Sequence, residues 1–207
     1  MSLKSAKGPD SDPVDKNRLR KEFLRHLDFL KESGYVTQEG ALTEDGMWAS
    51  QLRVDHPLSI AEGFRLGLFP ETSPPMLAGL MAAFVNERES EERLAKETVP
   101  NPLKRAFQNV VKGLGPFLKR MADAGFETRP LYLRPCLAVY LWSEGLHSWE
   151  QVVRVSELAE GDMAVLILRT ADNLRHVVGL DAVFPEAAEN ASKAIESMLR
   201  DPVVDFF

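Results

Sequence analysis

The segment from Glu160 to His176 places the strongest constraint on the fold of this 207-residue chain. It opens on Glu-Gly-Asp and continues as a long apolar stretch that carries a thin stripe of polar side chains. The stripe consists of Asp162, Arg169, Asp172, Asn173 and His176. Steps of three, four and seven positions place these side chains on one face of an α-helix. Because most of the other positions are apolar, the pattern predicts a helix that is buried nearly all round.

An arginine and an aspartate on one line of such a helix allow two interpretations. Arg169 and Asp172 are three positions apart, so they are placed to form an intrahelical ion pair, which contributes only about 0.2–0.5 kcal/mol when exposed. Alternatively, their face lines a channel, and Arg169 contacts a nucleic-acid strand through its planar group of donors. Periodicity alone favours the ion pair.

Helical spacing recurs along the whole chain, and it is accompanied by no convincing strand pattern and no internal repeat. We predict helices over residues 17–33, 59–68, 74–86, 103–124, 148–154, 161–179 and 185–200, and a further helix with Thr43 as its N-cap. The apolar segment 131–142 is compatible with either a strand or a helix. The sequence therefore predicts an all-α fold, an orthogonal multi-helix bundle with the helix 161–179 at its centre.

Changes in composition mark two places where the chain is expected to divide. Residues 1–16 are polar and rich in proline, glycine and serine, which is typical of a disordered leader or linker. The charged and proline-rich stretch 87–102 marks a softer boundary. We therefore predict an N-terminal helical part over residues 17–99 and a C-terminal helical bundle over residues 100–207.

Composition limits the classes of function. The net charge of −6 means that any nucleic-acid role must depend on local basic patches or on a larger protein. The single cysteine, Cys136, excludes an internal disulfide and a cysteine-built metal site, and it suits a reducing cytoplasm. No apolar run approaches the roughly 20 residues that span a bilayer, so we expect no membrane partner.

Motifs for catalysis are missing from the sequence. No Gly-x-x-x-x-Gly-Lys-Ser/Thr loop is present, so the chain lacks the phosphate-binding loop of an ATPase. No serine lies in a Gly-x-Ser-x-Gly turn. The four histidines, His26, His56, His147 and His176, do not have the spacing of metal ligands. We therefore expect a non-catalytic chain without a cofactor or metal of its own.

A second basic feature lies on the predicted helix 103–124. Arg105, Lys112 and Lys119 are spaced by seven residues, and together they form a stripe. Apolar residues occupy the opposite face, at Leu103, Phe107, Val110, Leu114 and Phe117. The stripe is either the solvated face of a core helix or a positive wall beside a nucleic-acid channel. Elsewhere, Trp48, Trp142 and Trp149 are expected to pack in the core.

Four sequence blocks, in order, resemble one known domain family. The order Trp142, Gly145, Glu160-Gly161-Asp162, Arg169 and Asp172 is joined by the blocks at 42–69 and 77–90 and by the ending IESMLRDPVVDFF. Together they resemble the C-terminal helical domain of Ski2-like DExH-box RNA helicases, called the DSHCT domain. The resemblance covers residues 18–207 and favours a helix over residues 131–142.

The resemblance implies that the helix 161–179 is a ratchet-like helix along the single strand that leaves the motor. It favours nucleic-acid contact by Arg169 and Asp172, and also by Asp162, Asn173, His176 and Glu87. The expected partners are single-stranded RNA, with DNA as an alternative, and a RecA-like helicase core in the same polypeptide. ATP and Mg²⁺ are expected on that core. The competing interpretation is a stand-alone helical adaptor for protein interactions, without a motor.

Overall fold

The computed structural model describes residues 13–70, 73–85 and 99–206, and it confirms the all-α prediction. In chain order the helices are α1 Pro13–Glu32, α2 Glu44–Ala49, α3 Pro57–Arg65, α4 Pro74–Ala82, α5 Asn101–Asp123, α6 Leu133–Glu144, α7 Trp149–Ser156, α8 Glu160–Val178 and α9 Pro185–Met198, with a final 3₁₀ turn at Val203–Phe206. These residues contain no strand, and an isolated antiparallel bridge joins Val36 to Leu42. They also contain no helix that is both long enough and apolar enough to span a membrane.

The chain divides into two compact units, one ending at Gly46 and one starting at Met47. In the first unit, Thr43 caps α2 as predicted, because its Oγ1 accepts a hydrogen bond from the Gly46 backbone N–H at 3.1 Å. The same hydroxyl donates to the carbonyl of Gly34 at 2.8 Å, which ties α2 to the turn after α1. The predicted boundary between residues 99 and 100 is a different division, and it stays a prediction.

The second unit is built around α4. Every residue from Met76 to Ala82 is buried, and α4 packs most extensively against α6 and also against α8 and α9. The contact with α6 requires a glycine. A Cβ atom at Gly79 would lie 2.8 Å from the carbonyl oxygen of Cys136 and 2.9 Å from Cβ of Tyr140. This close approach fixes the position of α4 against α6.

The segment 131–142, for which the residue types allowed a strand or a helix, is helical from Leu133 onward. α6 ends at Glu144, and the next residue, Gly145, has a φ of 76°, the left-handed conformation that follows many helices. Trp142 lies on its last turn and makes an edge-to-face contact with Trp149, with ring centroids 5.3 Å apart. The predicted burial of these two residues and of Trp48 is confirmed.

The C-terminal tail is fixed to α6 through the same tryptophan. The indole Nε1 of Trp142 donates to the carbonyl of Met198 at 2.8 Å. The guanidinium of Arg200 lies 3.7 Å from the Trp142 ring centroid and donates to the Trp142 carbonyl at 2.6 Å. The cation–π contact and the hydrogen bonds together hold the C-terminal segment against α6. The resemblance in this tail therefore coincides with a structural role.

Several helix ends differ from the sequence prediction, and at two helix starts the difference involves proline. α1 begins at Pro13 rather than at residue 17, and α3 begins at Pro57 rather than at residue 59. Proline suits the first turn of a helix because its missing N–H has no helical partner there. α4 ends at Ala82 and is followed by turns to Val85, short of the predicted end at residue 86.

Candidate nucleic-acid interface

Helix α8 is buried on one side and exposed on the other. Its inner face is formed by Met163, Ala164, Leu166, Ile167, Thr170, Ala171, Asn173, Leu174 and Val177, and α8 packs against α9, α4 and α6. The prediction of a helix buried nearly all round is therefore wrong for the outer face, where Val165 is 47% exposed. The predicted polar stripe is also revised. Asn173 is only 5% exposed, whereas Asp162 and Asp172 are exposed and Arg169 and His176 are half-buried.

Arg169 is held by an acidic residue from a distant part of the chain. Its Nη2 donates to Oδ1 of Asp55 at 2.8 Å, and the two side chains are 31% and 33% exposed. The amide of Asn173, one turn further along α8, reaches the other Asp55 oxygen at 3.5 Å. Asp55 lies in the loop before α3, and it therefore links that loop to α8. The half-exposed position leaves the Arg169 guanidinium within reach of solvent.

Asp172 has a different partner. It accepts an ion-pair contact from Arg175, one turn further along the exposed face of α8. The intrahelical pairing considered for Arg169 and Asp172 is thus replaced by two separate pairs. A pair between two exposed side chains contributes little to stability. Asp172 and Arg175 therefore form a solvated part of the helix surface next to Arg169.

A polar pocket opens beside Arg169. Its volume is about 330 Å³. Its lining comes from α8, the loop before α3, the turns after α4 and the connector between α5 and α6: Asp55, His56, Phe84, Val85, Glu127, Arg129 and Arg169. Four separate segments of the chain thus bring two guanidinium groups, two carboxylates and one imidazole together. A concavity in which several polar groups converge is a candidate binding site, although this lining is more polar than that of most small-molecule pockets.

The two arginines in the pocket each have a carboxylate partner. Arg129 donates from Nε and Nη2 to the same Glu127 oxygen, at 3.0 and 2.9 Å. Arg129 is 45% exposed and Glu127 is 77% exposed, so solvent screens this pair strongly. Both arginines therefore line the pocket in ion pairs that are partly open to solvent.

The imidazole of His56 lies among these charges. Burial lowers the pKa of His56 below its ordinary value of 6.5, and the positive charges of Arg129 and Arg169 lower it further. The carboxylates of Asp55 and Glu127 act in the opposite direction, to a smaller total effect. His56 is therefore neutral at neutral pH, and the arginines supply the positive charge of the pocket.

Other predicted site residues lie elsewhere. Asp162, Asp172, Asn173 and His176 do not appear among the described residues that line the pocket, although Asn173 contacts Asp55 beside it. Arg105, Lys112 and Lys119 are exposed on α5 and are likewise outside the described lining. Lys119 pairs with Asp123 on the same helix at 2.9 Å. Glu87 lies outside the described residues.

The sequence interpretation missed Asp55, His56, Glu127 and Arg129. A weak signal was present for the first two, because Asp-His directly before a proline-initiated helix places two polar side chains at the start of α3. Glu127 and Arg129 lie in a connector without periodicity, and their sequence gives no comparable signal. In the described ranges, no cluster of His, Cys, Asp or Glu is arranged to hold a metal ion.

Comparison with known proteins agrees with this architecture. The model of the DSHCT (NUC185) domain family matches residues 39–206, which include the whole pocket. A DExH-box ATP-dependent RNA helicase of Arabidopsis thaliana, described as chloroplastic, is 26% identical over 192 residues. That match covers 85% of this chain but only 16% of the relative, so the chain spans about a sixth of the length of that helicase. The chain belongs to the DSHCT domain family, a helical accessory domain of helicases.

Proposed function

We propose that this domain contacts single-stranded RNA along the exposed face of α8 and supports directional unwinding by a helicase motor. The observation that carries the proposal is the position of Arg169. Arg169 lines a polar pocket, and it lies on a helix whose inner face is packed in the core. Because α8 is anchored on three other helices, a strand bound at Arg169 is held by a rigid element.

The chemistry of the pocket fits a phosphodiester backbone. Arginine combines a permanent positive charge with several donors in one plane, and it binds phosphate oxygens or stacks on bases. The overall charge of −6 opposes nucleic acid at long range, so binding depends on this local group of arginines. The expected affinity is modest and depends on salt, because phosphate contacts release counterions.

The role in unwinding follows from the family and from the relative. The matched relative is an ATP-dependent RNA helicase, and we infer that this domain acts with a RecA-like core that binds ATP and Mg²⁺. The core moves the strand, and the α8 surface holds the strand between steps. Slippage is thereby reduced, and movement becomes directional. RNA is preferred over DNA as the substrate because the matched relative acts as an RNA helicase.

The test is a binding measurement on matched arginine variants of this chain. Fluorescence anisotropy with a labelled oligouridine of about ten nucleotides covers the usual site size for a single strand. Arg169→Ala is expected to weaken binding about five- to tenfold and to reduce the salt slope by about 0.7, the value for one lost phosphate contact on a single strand. Arg154→Ala is the control, since Arg154 is exposed on α7 and removes the same charge.

Equal losses in the two variants would contradict a specific role of Arg169. No binding by wild type or either variant would favour the adaptor interpretation. In a complete helicase that contains this domain, Arg169→Ala should also lower the rate of duplex unwinding while ATP hydrolysis continues. Unchanged unwinding would exclude α8 as the surface that holds the strand.

A further inference from the structure

We propose that the pocket beside α8 is a subsite for one backbone phosphate, held between Arg169 and Arg129, in which Asp55 and Glu127 act as internal competitors of the strand. This inference deepens the proposed function and depends on it. It assigns binding to Arg129, in a connector far from α8 in sequence. It also predicts that Asp55 weakens strand binding, whereas a residue that positions Arg169 would strengthen it.

The lining of the pocket supports the first part of the inference, a phosphate subsite formed by Arg169 and Arg129. Arg129 and Arg169 line the same concavity of about 330 Å³ from two different segments of the chain. Both guanidinium charges act on the imidazole of His56, which lines the same pocket, so both lie near that one side chain. Two guanidinium groups that converge from separate segments are a common arrangement for an anion with several oxygen acceptors.

The ion-pair partners of the two arginines support the second part of the inference, the competition between carboxylates and the strand. The carboxylate of Asp55 offers Arg169 the same kind of acceptor as a phosphate, at 2.8 Å. The carboxylate of Glu127 does the same for Arg129. All four side chains are between about one third and three quarters exposed, so neither pair is sealed from solvent. Solvent weakens both pairs, the Arg129–Glu127 pair more strongly, and a phosphate offers each guanidinium the same kind of acceptor.

Competition by Asp55 predicts an unusual direction of change. Asp55→Asn removes the negative charge yet keeps an oxygen that can still accept from Arg169. If Asp55 competes with the strand, this variant binds oligouridine more tightly, by about two- to fivefold. If Asp55 instead positions Arg169, the same variant binds more weakly. The two roles therefore give opposite signs in one measurement.

A double-variant cycle shows whether the gain acts through Arg169. The gain from Asp55→Asn should disappear in the background of Arg169→Ala, because the guanidinium that was released is then absent. The control for net charge is Asp181→Asn, at an exposed aspartate in the turn between α8 and α9. This control should change affinity by less than about 1.5-fold at moderate salt, because a distant charge is largely screened.

Variants of Arg129 and of its partner Glu127 test the other half of the subsite. Arg129→Ala should weaken oligouridine binding and lower the salt slope by about 0.7, as for Arg169. Glu127→Gln should strengthen binding, by less than about twofold, since its pair is the more exposed one. An unchanged affinity in Arg129→Ala would exclude this residue from the subsite.

The outcomes separate the inference from the proposed function. If Arg169→Ala weakens binding but Asp55→Asn weakens it too, or leaves it unchanged, the proposed function stands and the competition is disproved. If the gain in Asp55→Asn persists without Arg169, the effect is one of general charge, and the subsite is disproved. If Arg169→Ala has no effect, the proposed function itself fails. Far-ultraviolet circular dichroism on each variant identifies any loss of fold.

Discussion

Helices α8 and α5 both carry basic residues that the sequence pattern predicts as candidates for nucleic-acid contact. In the structure, the surroundings of these residues differ. On α8, one arginine lies beside a pocket whose other walls come from three further segments. On α5, three basic residues lie along an exposed face, and the described pocket lining includes none of them. The α5 stripe is longer and more regular, yet the single residue on α8 has the surroundings of a binding site.

The comparison indicates that convergence of distant residues is a stronger criterion for a candidate site than periodicity within one helix. A stripe with a repeat of seven arises on any helix that buries its opposite face, and α5 does bury Leu103, Val110, Leu114 and Phe117 there. Regular spacing of lysine and arginine is therefore expected for a solvated helix face. Helix periodicity does not explain why Arg169, Asp55 and Arg129 line one pocket, because these residues are distant in sequence.

The largest expected effect comes from reversing one charge in each region. Arg169→Glu should lower affinity for single-stranded RNA by more than about tenfold, since it removes a phosphate contact and adds repulsion beside Asp55. Arg105→Glu, with the same change of charge on α5, should lower affinity by less than about threefold. Anisotropy titrations at one fixed salt concentration provide the comparison. Equal losses would break the distinction between the two helices.

The next effect concerns stability rather than binding. Asn173 is 5% exposed and contacts Asp55, so Asn173→Ala should lower the free energy of unfolding by about 1 kcal/mol. Asn109→Ala, at an exposed asparagine of α5, should change it by less than about 0.5 kcal/mol. Urea denaturation followed by circular dichroism measures both values. An unchanged or stabilised Asn173→Ala variant would show that the contact between Asn173 and Asp55 does not stabilise the fold.

A smaller effect is expected from pH, through His56. Because burial lowers the pKa of the folded-state imidazole, the unfolded chain binds a proton more readily as the pH falls below about 6.5. Above about pH 6.5, His56 therefore does not lower the free energy of unfolding. Its contribution to acid destabilisation grows as the pH falls from about 6.5 towards the lowered folded-state pKa, and then levels off.

His56→Gln should remove this part of the acid destabilisation. The difference in melting temperature between neutral and mildly acidic buffer should be smaller in the variant than in wild type, and differential scanning fluorimetry can measure it. His26→Gln, at an exposed histidine of α1, is the control and should resemble wild type. A His56→Gln variant with an unchanged or larger acid loss would contradict a neutral imidazole in the pocket.

The smallest effect is expected on α5. Lys119 and Asp123 are 74% and 65% exposed, and their ion pair lies on the helix surface. Lys119→Ala should change the free energy of unfolding by less than about 0.5 kcal/mol and RNA affinity by less than about twofold. The same denaturation and anisotropy measurements apply. A loss of affinity as large as that for Arg169→Ala would instead support the interpretation that the α5 stripe contacts the nucleic acid.

Much of the helical architecture is predictable from the sequence, because helical periodicity reports which face of each element is buried. The cap at Thr43 and the burial of Trp142 and Trp149 follow from local chemistry in the same way. The family resemblance resolved the choice between strand and helix for residues 131–142. Periodicity failed for the outer face of α8, where Val165 is apolar but exposed.

The pocket was not predictable, because its contacts join distant positions. Arg169 and Asp55 are 114 residues apart in sequence, and Asn173 and Asp55 are 118 apart. No local pattern relates such residues, and only the packing of α8 near the loop before α3 brings them together. For the same reason the sequence offered Asp172 as a partner for Arg169, since nearby positions are the only ones that spacing can pair.

Ultraviolet cross-linking tests most directly the claim that RNA binds at α8 rather than at α5. The wild-type chain would be irradiated with an oligouridine that contains 4-thiouridine, and the cross-linked peptides would be located by mass spectrometry. We expect cross-links in the segment around Arg169 and in the connector with Arg129, and these should decrease in the Arg169→Ala variant. Cross-links confined to the α5 stripe of Arg105, Lys112 and Lys119 would contradict the account.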